Sequence, residues 1–217
     1  MKIGVIGSGA VGQTLADGFL SRGHSVMCGT RDASKLQDWA DAGGGEASVG
    51  TARETAAYGE LVVLAVQGAA AEKVLGTVGA DTLAGKTVID TTNPISEEAP
   101  PQDGVLRYFT AMNESLMERL QQLAPDARFV KAFSCVGSAL MVDPELDRGR
   151  PTMFICGNHD GAKKQVREIL DDFGWDSEDL GPATAARAIE PVAMLWCIPG
   201  FRQNDWMRAY AVLRPAE

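Results

Sequence analysis

The sequence is poor in histidine, in cations and in long apolar runs. It has 217 residues and only 2 histidines, and its 20 lysines and arginines stand against 29 acidic residues, a formal net charge of −9. An acidic chain lacks the basic face that nucleic acids require, so we expect no nucleic-acid partner. No stretch approaches a membrane-spanning length, and the N-terminus, "MKIGVIGSGA", shows no signal-peptide pattern. We therefore expect a chain that begins at Met1, is cytoplasmic and has no membrane partner.

Cysteine and histidine are also too scattered to form a metal site or a disulfide framework. The four cysteines are Cys28, Cys135, Cys156 and Cys197. We predict no metal site, and mostly buried free thiols. His24 precedes an apolar run and His159 follows one, so we expect structural roles for both, with His159 in a turn and helix cap.

Short apolar runs alternate with helical patterns along the first two-thirds of the chain. The predicted strands are 2–7, 25–28, 61–66, 87–92, 128–134 and 152–157, with a weaker one at 46–50. Their nearly continuous hydrophobicity is typical of strands that are covered on both faces. The sequence therefore predicts an α/β fold with a doubly wound, mainly parallel sheet.

Helical patterns occupy 11–23, 69–79 and 160–174, and the segment 184–198 is apolar over most of its circumference. We expect Pro199-Gly200 to end that last helix, and its apolar surface to be buried in a pocket wall or a subunit interface. We predict a nucleotide-binding domain at 1–150. A small C-terminal α/β extension at 151–217 would contribute to the substrate cleft and to a dimer interface.

Residues 7–12, "GSGAVG", match the pattern G-x-G-x-x-G directly after the first predicted strand and before a helix. This context is typical of a Rossmann-type dinucleotide-binding loop. Gly7 permits the tight turn, Gly9 lets the backbone approach a pyrophosphate, and Gly12 allows the helix to pack on the strand. The helix N-terminus offers free N–H groups to the phosphates. We predict that the cofactor is bound by Gly7, Ser8, Gly9, Ala10, Val11 and Gly12.

The stretch "CGTRDASK" at 28–35 places two cations at the tip of the second strand. In this fold the tip meets the adenosine ribose, where an acid selects a free 2′-hydroxyl and an arginine suits a 2′-phosphate. Arg31 can hold a phosphate bidentately, Thr30 can donate its hydroxyl, and Lys35 lies one helical turn beyond. Asp32 is close to the position of an NAD-selecting acid, but we interpret it as a helix N-cap. NADP is therefore favoured over NAD, and use of NAD as well is left open.

The sequence offers no catalytic side chain that we can identify. It has no Ser-His-Asp arrangement and no G-x-S-x-G. Lys131 falls inside a predicted strand, and Lys163 and Lys164 lie on a helix where we expect them to be exposed. Hydride transfer between two rings needs little from side chains, because proximity in a dry site can supply about 7–11 kcal/mol of the barrier.

Loops that follow the predicted strands complete the expected site. The further predicted cofactor-binding residues are Ala65, Val66, Gln67, Asn93 and Pro94. The predicted substrate pocket, close to the nicotinamide, consists of Ser134, Cys135, Val136 and Gly137. Ordinary turn chemistry is the alternative for both the Asn93 and the Ser134 loop. No histidine is predicted beside Cys135 to generate a thiolate, so a nucleophilic role is disfavoured.

Several longer motifs together suggest a family. They are "KIGVIGSGAVGQTLADGF", "GTRDASKL", "DTTNPI", "FVKAFSCVGSALMVDP", "FGWDSEDLG" and "AARAIEPVAMLW". Over nearly the whole chain the sequence resembles the bacterial and archaeal NADPH-dependent reductases grouped with the coenzyme F420:NADP oxidoreductases. The resemblance implies NADP held by the glycine loop and by Thr30, Arg31 and Lys35, a deazaflavin stacked on the nicotinamide, and a homodimer. It also implies direct hydride exchange without a protein acid or base.

The leading hypothesis is thus an NADP(H)-dependent oxidoreductase that exchanges hydride with a ring acceptor such as coenzyme F420. Alternatives are an NADPH-dependent reductase of a flavin, a ferric chelate or a small imine or carbonyl compound. Imine and carbonyl reductases of this type have a larger helical domain than the roughly 65 residues after the sheet can form. A non-catalytic NADP(H)-sensing protein is a further alternative. The acceptor, the physiological direction and the oligomeric state are left open.

Overall fold

The chain forms an α/β structure built on a six-stranded parallel sheet. A computed structural model describes residues 1–147 and 149–215; Arg148, in the predicted first domain, and Ala216 and Glu217, at the end of the predicted extension, lie outside the described residues. The sheet strands are β1 Lys2–Ile6, β2 Ser25–Gly29, β3 Ala47–Gly50, β4 Leu61–Leu64, β5 Thr87–Asp90 and β6 Arg128–Lys131. Their order is β3-β2-β1-β4-β5-β6, and every neighbouring pair is parallel. This confirms the predicted doubly wound Rossmann-type fold.

Helices cover both faces of the sheet. The described α-helices are α1 Ala10–Ser21, α2 Gln37–Ala42, α3 Ala52–Tyr58, α4 Gly68–Val78, α5 Ala80–Leu83, α6 Leu116–Leu123, α7 Asp160–Asp172 and α8 Ala186–Gln203. One hydrophobic cluster joins α1 and α7 to one face, and a second joins α3, α4, α6 and the start of α8 to the other. Of the helices in the described parts of the chain, none has the length and apolarity needed to cross a membrane.

The C-terminal part adds a small second sheet. Strands β7 Thr152–Ile155 and β8 Asp176–Asp179 are parallel neighbours, and α7 connects them. An isolated bridge between Lys131 and Cys156 joins this pair to the edge of the large sheet. The buried rings of Phe19 in α1 and Phe173 after α7 lie 5.0 Å apart. The hydrophobic core is therefore continuous across position 150, and the predicted domain boundary there remains a prediction.

Helix α8 is longer than predicted. It continues to Gln203 with Pro191 and Pro199 inside it, so the predicted end at Pro199-Gly200 is wrong. A proline inside a helix removes one backbone hydrogen bond, but its φ angle is compatible with helix. A Cβ atom at position 200 would collide with the ring of Trp206, so the packing here requires the glycine. The helix ends at Asn204, whose φ of 56° is a common way to terminate a helix.

Candidate cofactor and substrate site

The glycine loop connects the end of β1 to the start of α1. Gly7 has φ +138°, and its N–H donates to the Gly29 carbonyl at 3.1 Å. A Cβ atom on Gly7 would collide with the carbonyl oxygen of Ala65, and one on Gly12 would collide with the carbonyl oxygen of Gly7. The packing of the chain itself thus requires both glycines.

Gly9 is different, because the chain gives no packing reason for a glycine there. Its φ of −80° suits any residue, and a Cβ atom at this position would have no neighbour within 4 Å. Gly9 is the N-cap of α1 and makes no side-chain cap bond, and the first turn of the helix carries no acidic residue. The backbone amides of that turn are therefore available to an anion, with open space in front of them. This arrangement fits a dinucleotide pyrophosphate.

Thr30 links the glycine loop to the tip of β2. Its N–H donates to the Gly50 carbonyl at 3.0 Å, and its hydroxyl donates to the Ser8 hydroxyl at 3.2 Å. Arg31 and Lys35 follow on the exposed side. Across 1–147 and 149–215, neither cation takes part in an ion pair. The tip therefore presents two free positive charges.

Asp32 has the capping role that its position indicated. It precedes the 3-10 turn Ala33–Leu36 and accepts hydrogen bonds from the Ser34 N–H at 3.1 Å and the Ser34 hydroxyl at 2.7 Å. These bonds, led by that from the hydroxyl, lower the pKa of Asp32, which lies in the exposed loop. Its carboxylate is thus engaged with its own turn.

Two loops meet at the carboxyl edge of the sheet, after β5 and after β6. The Asn93 side-chain N–H donates to the Ser134 carbonyl at 2.7 Å. Asn93 Oδ1 and Ser134 Oγ are both buried and have no hydrogen-bond partner among the described residues. A buried polar atom without a partner costs about 1–3 kcal/mol. These two atoms therefore fit a polar group that a ligand would bring. Pro94, beside Asn93, is buried.

The predicted residues after β4 form the neighbouring loop. Ala65 is buried and its N–H donates to the Ile6 carbonyl at 2.9 Å, next to the glycine loop. Val66 is half-buried, and Gln67 is exposed and is the N-cap of α4. The structure thus gathers the predicted cofactor residues along one edge of the sheet. Their contact with a ligand stays a prediction.

The loop after β6 contains a strained residue. Phe133 has φ +59°, a left-handed conformation that costs a bulky residue on the order of 1–3 kcal/mol. Its ring is buried 6.2 Å from that of Phe173, and its N–H donates to Met153 Sδ at 3.1 Å. Such strain persists only where the surrounding structure fixes it, and it is concentrated at functional sites.

The four predicted substrate-pocket residues lie in this loop, but little of their surface is free. Ser134, Cys135 and Val136 are buried, and a Cβ atom on Gly137 would lie 2.8 Å from the ring of Trp196 in α8. Burial raises the pKa of Cys135 to about 11. The thiol is therefore protonated at neutral pH, which disfavours a nucleophilic role.

A buried ionic network beneath these loops escaped the sequence analysis. Lys131 Nζ lies 2.7 Å from Asp90 Oδ2, 2.9 Å from Glu190 Oε1 and 2.7 Å from the Thr92 carbonyl oxygen. Burial lowers the pKa of Lys131 more than any other single influence, but the charges and hydrogen bonds of Asp90 and Glu190 together outweigh it and raise the pKa. In the sequence, the signal for this network was a charged residue, Lys131, inside an apolar strand pattern.

Other ionisable side chains have structural roles. His159 Nδ1 accepts from the Ala162 N–H at 3.2 Å and caps α7, as predicted. His24 lies 3.4 Å from the N-terminal amine. The expectation that Lys163 is exposed is wrong, because it is buried and its Nζ lies 3.0 Å from Asp179 Oδ2.

Two cavities lie outside the predicted pocket. One of about 210 Å³ is bounded by the 108–114 loop and α8 and includes Glu190 and Tyr108 in its wall. The Tyr108 hydroxyl donates to the Glu190 carbonyl at 2.7 Å, and burial raises the pKa of this tyrosine. A second, of about 490 Å³, includes Arg128 and His159 and lies at the opposite, amino edge of β6. Neither is lined by the residues 134–137.

Comparisons with known proteins agree with this architecture. A crystal structure from Arthrobacter sp. FB24, provisionally assigned as an F420-dependent NADP reductase, is 31% identical with a TM-score of 0.91, and the match covers 99% of this chain and 100% of that one. An imine reductase from Aspergillus terreus, in complex with NADPH4 and dibenz[c,e]azepine, is 20% identical with a TM-score of 0.67 over 92% of this chain and 62% of that one, and shares the fold.

A curated relative is the metalloreductase STEAP3 of Rattus norvegicus, 30% identical over 203 residues, or 91% of this chain. The chain spans 38% of the length of STEAP3 and 19% of that of the human metalloreductase STEAP2. The model of the family described as "NADP oxidoreductase coenzyme F420-dependent" matches residues 2–94. The chain belongs to the coenzyme F420-dependent NADP oxidoreductase family.

Proposed function

We propose that the protein transfers hydride between NADPH and a ring acceptor, with the deazaflavin coenzyme F420 as the favoured acceptor. NADPH, when bound, supplies the hydride from its nicotinamide ring. The chain binds and orients the two rings and excludes water, and it supplies no proton to the reacting atoms.

This proposal rests on one observation: the ionisable groups at the carboxyl edge of the sheet are engaged with one another and with the main chain, so they are not free to act as acid or base. The ammonium of Lys131 is shared among three oxygen atoms, and the carboxylates of Asp90 and Glu190 are occupied by Lys131 and by backbone N–H groups. The thiol of Cys135 is held in its neutral form. Oxidation of an alcohol or reduction of a carbonyl group needs a free acid or base to move the hydroxyl proton. Exchange of hydride between two rings does not need one, since position and orientation supply much of the acceleration.

The cofactor-binding roles follow from the same geometry. The open amides at Gly9 and the start of α1 would hold the pyrophosphate, and Arg31 and Lys35 would hold the 2′-phosphate. Asn93 Oδ1 and Ser134 Oγ would serve the nicotinamide end. Ser8, Ala10 and Val11, together with the loop 65–67 and Pro94, would form the remaining walls.

A steady-state assay tests the proposal. Purified protein would receive NADPH or NADH with oxidised coenzyme F420, FMN, FAD or a ferric chelate, and loss of nicotinamide absorbance would be followed. We expect fast oxidation of NADPH by F420 and slow oxidation of NADH. Binding of NADPH without turnover of F420 would refute the proposed acceptor.

The likeness to metalloreductases favours a second candidate, in which the acceptor is a flavin that passes electrons to ferric iron. The identity to STEAP3 extends over 91% of this chain, so it is not confined to the glycine loop. One hydride carries two electrons, so a ferric chelate would consume one NADPH for every two ferric ions reduced. Turnover with the chelate only when FMN or FAD is added would support this candidate, and turnover with F420 alone would contradict it.

We further propose a homodimer assembled on α8, with 151–217 as the extension that carries the interface. Leu195 and Phe201 on α8 are 57% and 50% exposed, and Met207 just beyond is 63% exposed. Replacing Leu195 with Glu should convert a dimer to a monomer in sedimentation velocity, whereas Leu123→Glu on α6, where the leucine is 49% exposed, should not. A wild-type monomer would refute the proposal.

Four free cysteines support a cytoplasmic location.

A further inference from the structure

The buried network at the ends of β5 and β6 is centred on Lys131. Asp90 and Lys131 are the last residues of their strands and lie side by side in register. Lys131, Asp90 and Glu190 are 0%, 0% and 1% exposed. The ammonium nitrogen lies within 2.9 Å of three oxygen atoms, from Asp90, Glu190 and the Thr92 main chain, and donates a hydrogen bond to the last. Three protein oxygen atoms thus surround the buried ammonium, which is not presented to a ligand.

The network holds both polar groups of the Thr92 main chain. Asp90 Oδ1 accepts from the Thr92 N–H at 2.9 Å and from its hydroxyl at 2.7 Å, while Lys131 donates to the carbonyl. Asn93 follows immediately, and its side chain is directed by the bond to the Ser134 carbonyl. The position of Asn93 Oδ1 thus depends on the Thr92 main chain, whose carbonyl oxygen Lys131 holds by a hydrogen bond.

Glu190 connects the same ammonium to the helices around it. Its Oε2 and Oε1 accept from the N–H groups of Leu116 and Met117, each at 3.0 Å, in the first turn of α6. The network contains two carboxylates and one ammonium, and the positive end of α6 compensates for the second carboxylate. Glu190 also ties α8 to the sheet edge, so the edge loop, α6 and α8 share one junction.

Stability alone is a weak reason for such a network. Removing charges from water costs several kcal/mol per ion, and apolar residues of similar volume are often equally or more stabilising. A buried ionic group can instead define one conformation of the chain around it. Here the group so defined is the Thr92–Asn93 segment, beside the strained Phe133 loop.

We propose that Lys131 is a positioning residue for hydride transfer, which acts through the Thr92 carbonyl to hold Asn93 against the nicotinamide end of the site. This inference rests on the proposed function. Without the Lys131–Thr92 bond the Asn93 loop gains freedom, and a misplacement of about 1 Å can cost a reaction on the order of a hundredfold. Binding of the pyrophosphate and 2′-phosphate, at the other strands, should change little.

The test uses two charge-neutral pairs of substitutions in the full chain. Asp90→Asn with Lys131→Met removes one charge of each sign and leaves Asn Oδ1 to accept from Thr92, and its control is Asp90→Asn alone. Lys131→Met with Glu190→Gln is the second pair, with Glu190→Gln alone as its control. The readouts are kcat and KM for NADPH, the deuterium isotope effect with NADPH labelled at the transferred hydrogen, and the fluorescence of bound NADPH.

We expect both pairs to lower kcat about tenfold to a hundredfold with KM for NADPH little changed. The isotope effect should rise, and the nicotinamide emission should shift toward that of free NADPH. Each control keeps the Lys131–Thr92 bond, so its kcat, isotope effect and emission should stay near the wild-type values, although it should be less stable because the buried ammonium loses one carboxylate. A pair that matches its control in kcat, isotope effect and emission would overturn the proposal. So would failure of both pairs to fold when both controls fold, because Lys131 would then serve folding.

The fluorescence separates this inference from the proposed function. If the wild type binds NADPH with altered nicotinamide emission but oxidises it with no acceptor, the proposed acceptor fails. The positioning role would then be judged by the emission of the pairs against that of their controls. If the wild type does not bind NADPH, the proposed function and this inference both fail.

Discussion

The free cations at the tip of β2 give the sharpest test of cofactor choice. Replacing Arg31 with Ala removes a guanidinium that is exposed and has no ionic partner in the described parts of the chain. Hydrogen bonds to charged groups contribute about 1.5–3 kcal/mol. Because solvent screens an exposed site, we expect the lower part of this range, a rise in Kd for NADPH of about tenfold to thirtyfold.

The same substitution should leave NADH binding nearly unchanged, since NADH has no 2′-phosphate. Isothermal titration calorimetry with both nucleotides measures the two constants, and repetition at higher salt should reduce the difference between wild type and variant. Arg128→Ala is the matched control, because Arg128 is also exposed but lies at the amino end of β6. Its replacement should alter neither constant.

Equal losses of NADPH and NADH affinity in the Arg31→Ala protein would refute the assignment of a 2′-phosphate site. So would an unchanged NADPH affinity in a variant that also lacks Lys35. Thermal unfolding should not differ from that of the wild type in either case, because an exposed side chain without a partner contributes little to stability.

Three further predictions concern the interior of the site. Gly9→Ala should fold normally, because its Cβ would have no protein atom within 4 Å, and should bind NADPH weakly, because that Cβ would take up space proposed for the pyrophosphate. Gly12→Ala should instead destabilise the fold through its collision with the Gly7 carbonyl oxygen, and thermal unfolding and calorimetry distinguish the two variants. Alkylation at neutral pH should reach the half-buried Cys197 before the buried Cys135, as mass spectrometry of peptides would show, and early loss of activity with Cys135 labelling would contradict this. Glu190→Ala should lose about 3–5 kcal/mol of unfolding free energy in urea, since it leaves a buried ammonium short of a partner. The pKa of Lys131 in the folded protein is raised above the ordinary lysine value of 10.5. The stability that the charged lysine contributes is therefore fully present below pH 10.5 and is lost only as the pH rises through the higher folded pKa. The difference in unfolding free energy between wild type and Glu190→Ala should thus be constant between about pH 7 and 9.

Local signals failed where tertiary packing overrode them. Strand β8 consists of Asp176, Ser177, Glu178 and Asp179, four polar residues that give no strand pattern. It forms because β7 offers a parallel partner, and α7 joins the two strands. Pro199-Gly200 predicted a helix end, but the helix continues to Gln203 and ends at Asn204. The pairing of β7 with β8 joins segments 24 positions apart in the chain, such as Thr152 and Asp176, so no short window of sequence contains it.

The sequence by itself determined the parallel sheet, the glycine loop and the two cations after β2, because each depends on residues that are neighbours in the chain. A run of β-branched residues, a G-x-G-x-x-G between a strand and a helix, and a capping Asp32 express their geometry locally. Only the tertiary structure decided that the ionisable groups at the carboxyl edge are buried and paired with one another. Asp90, Lys131 and Glu190 are separated by 41 and 59 positions in the chain, and their charges are paired because β5, β6 and α8 converge. Burial and ion pairing are properties of that convergence, so the chemistry of these three residues could not be predicted from their identities.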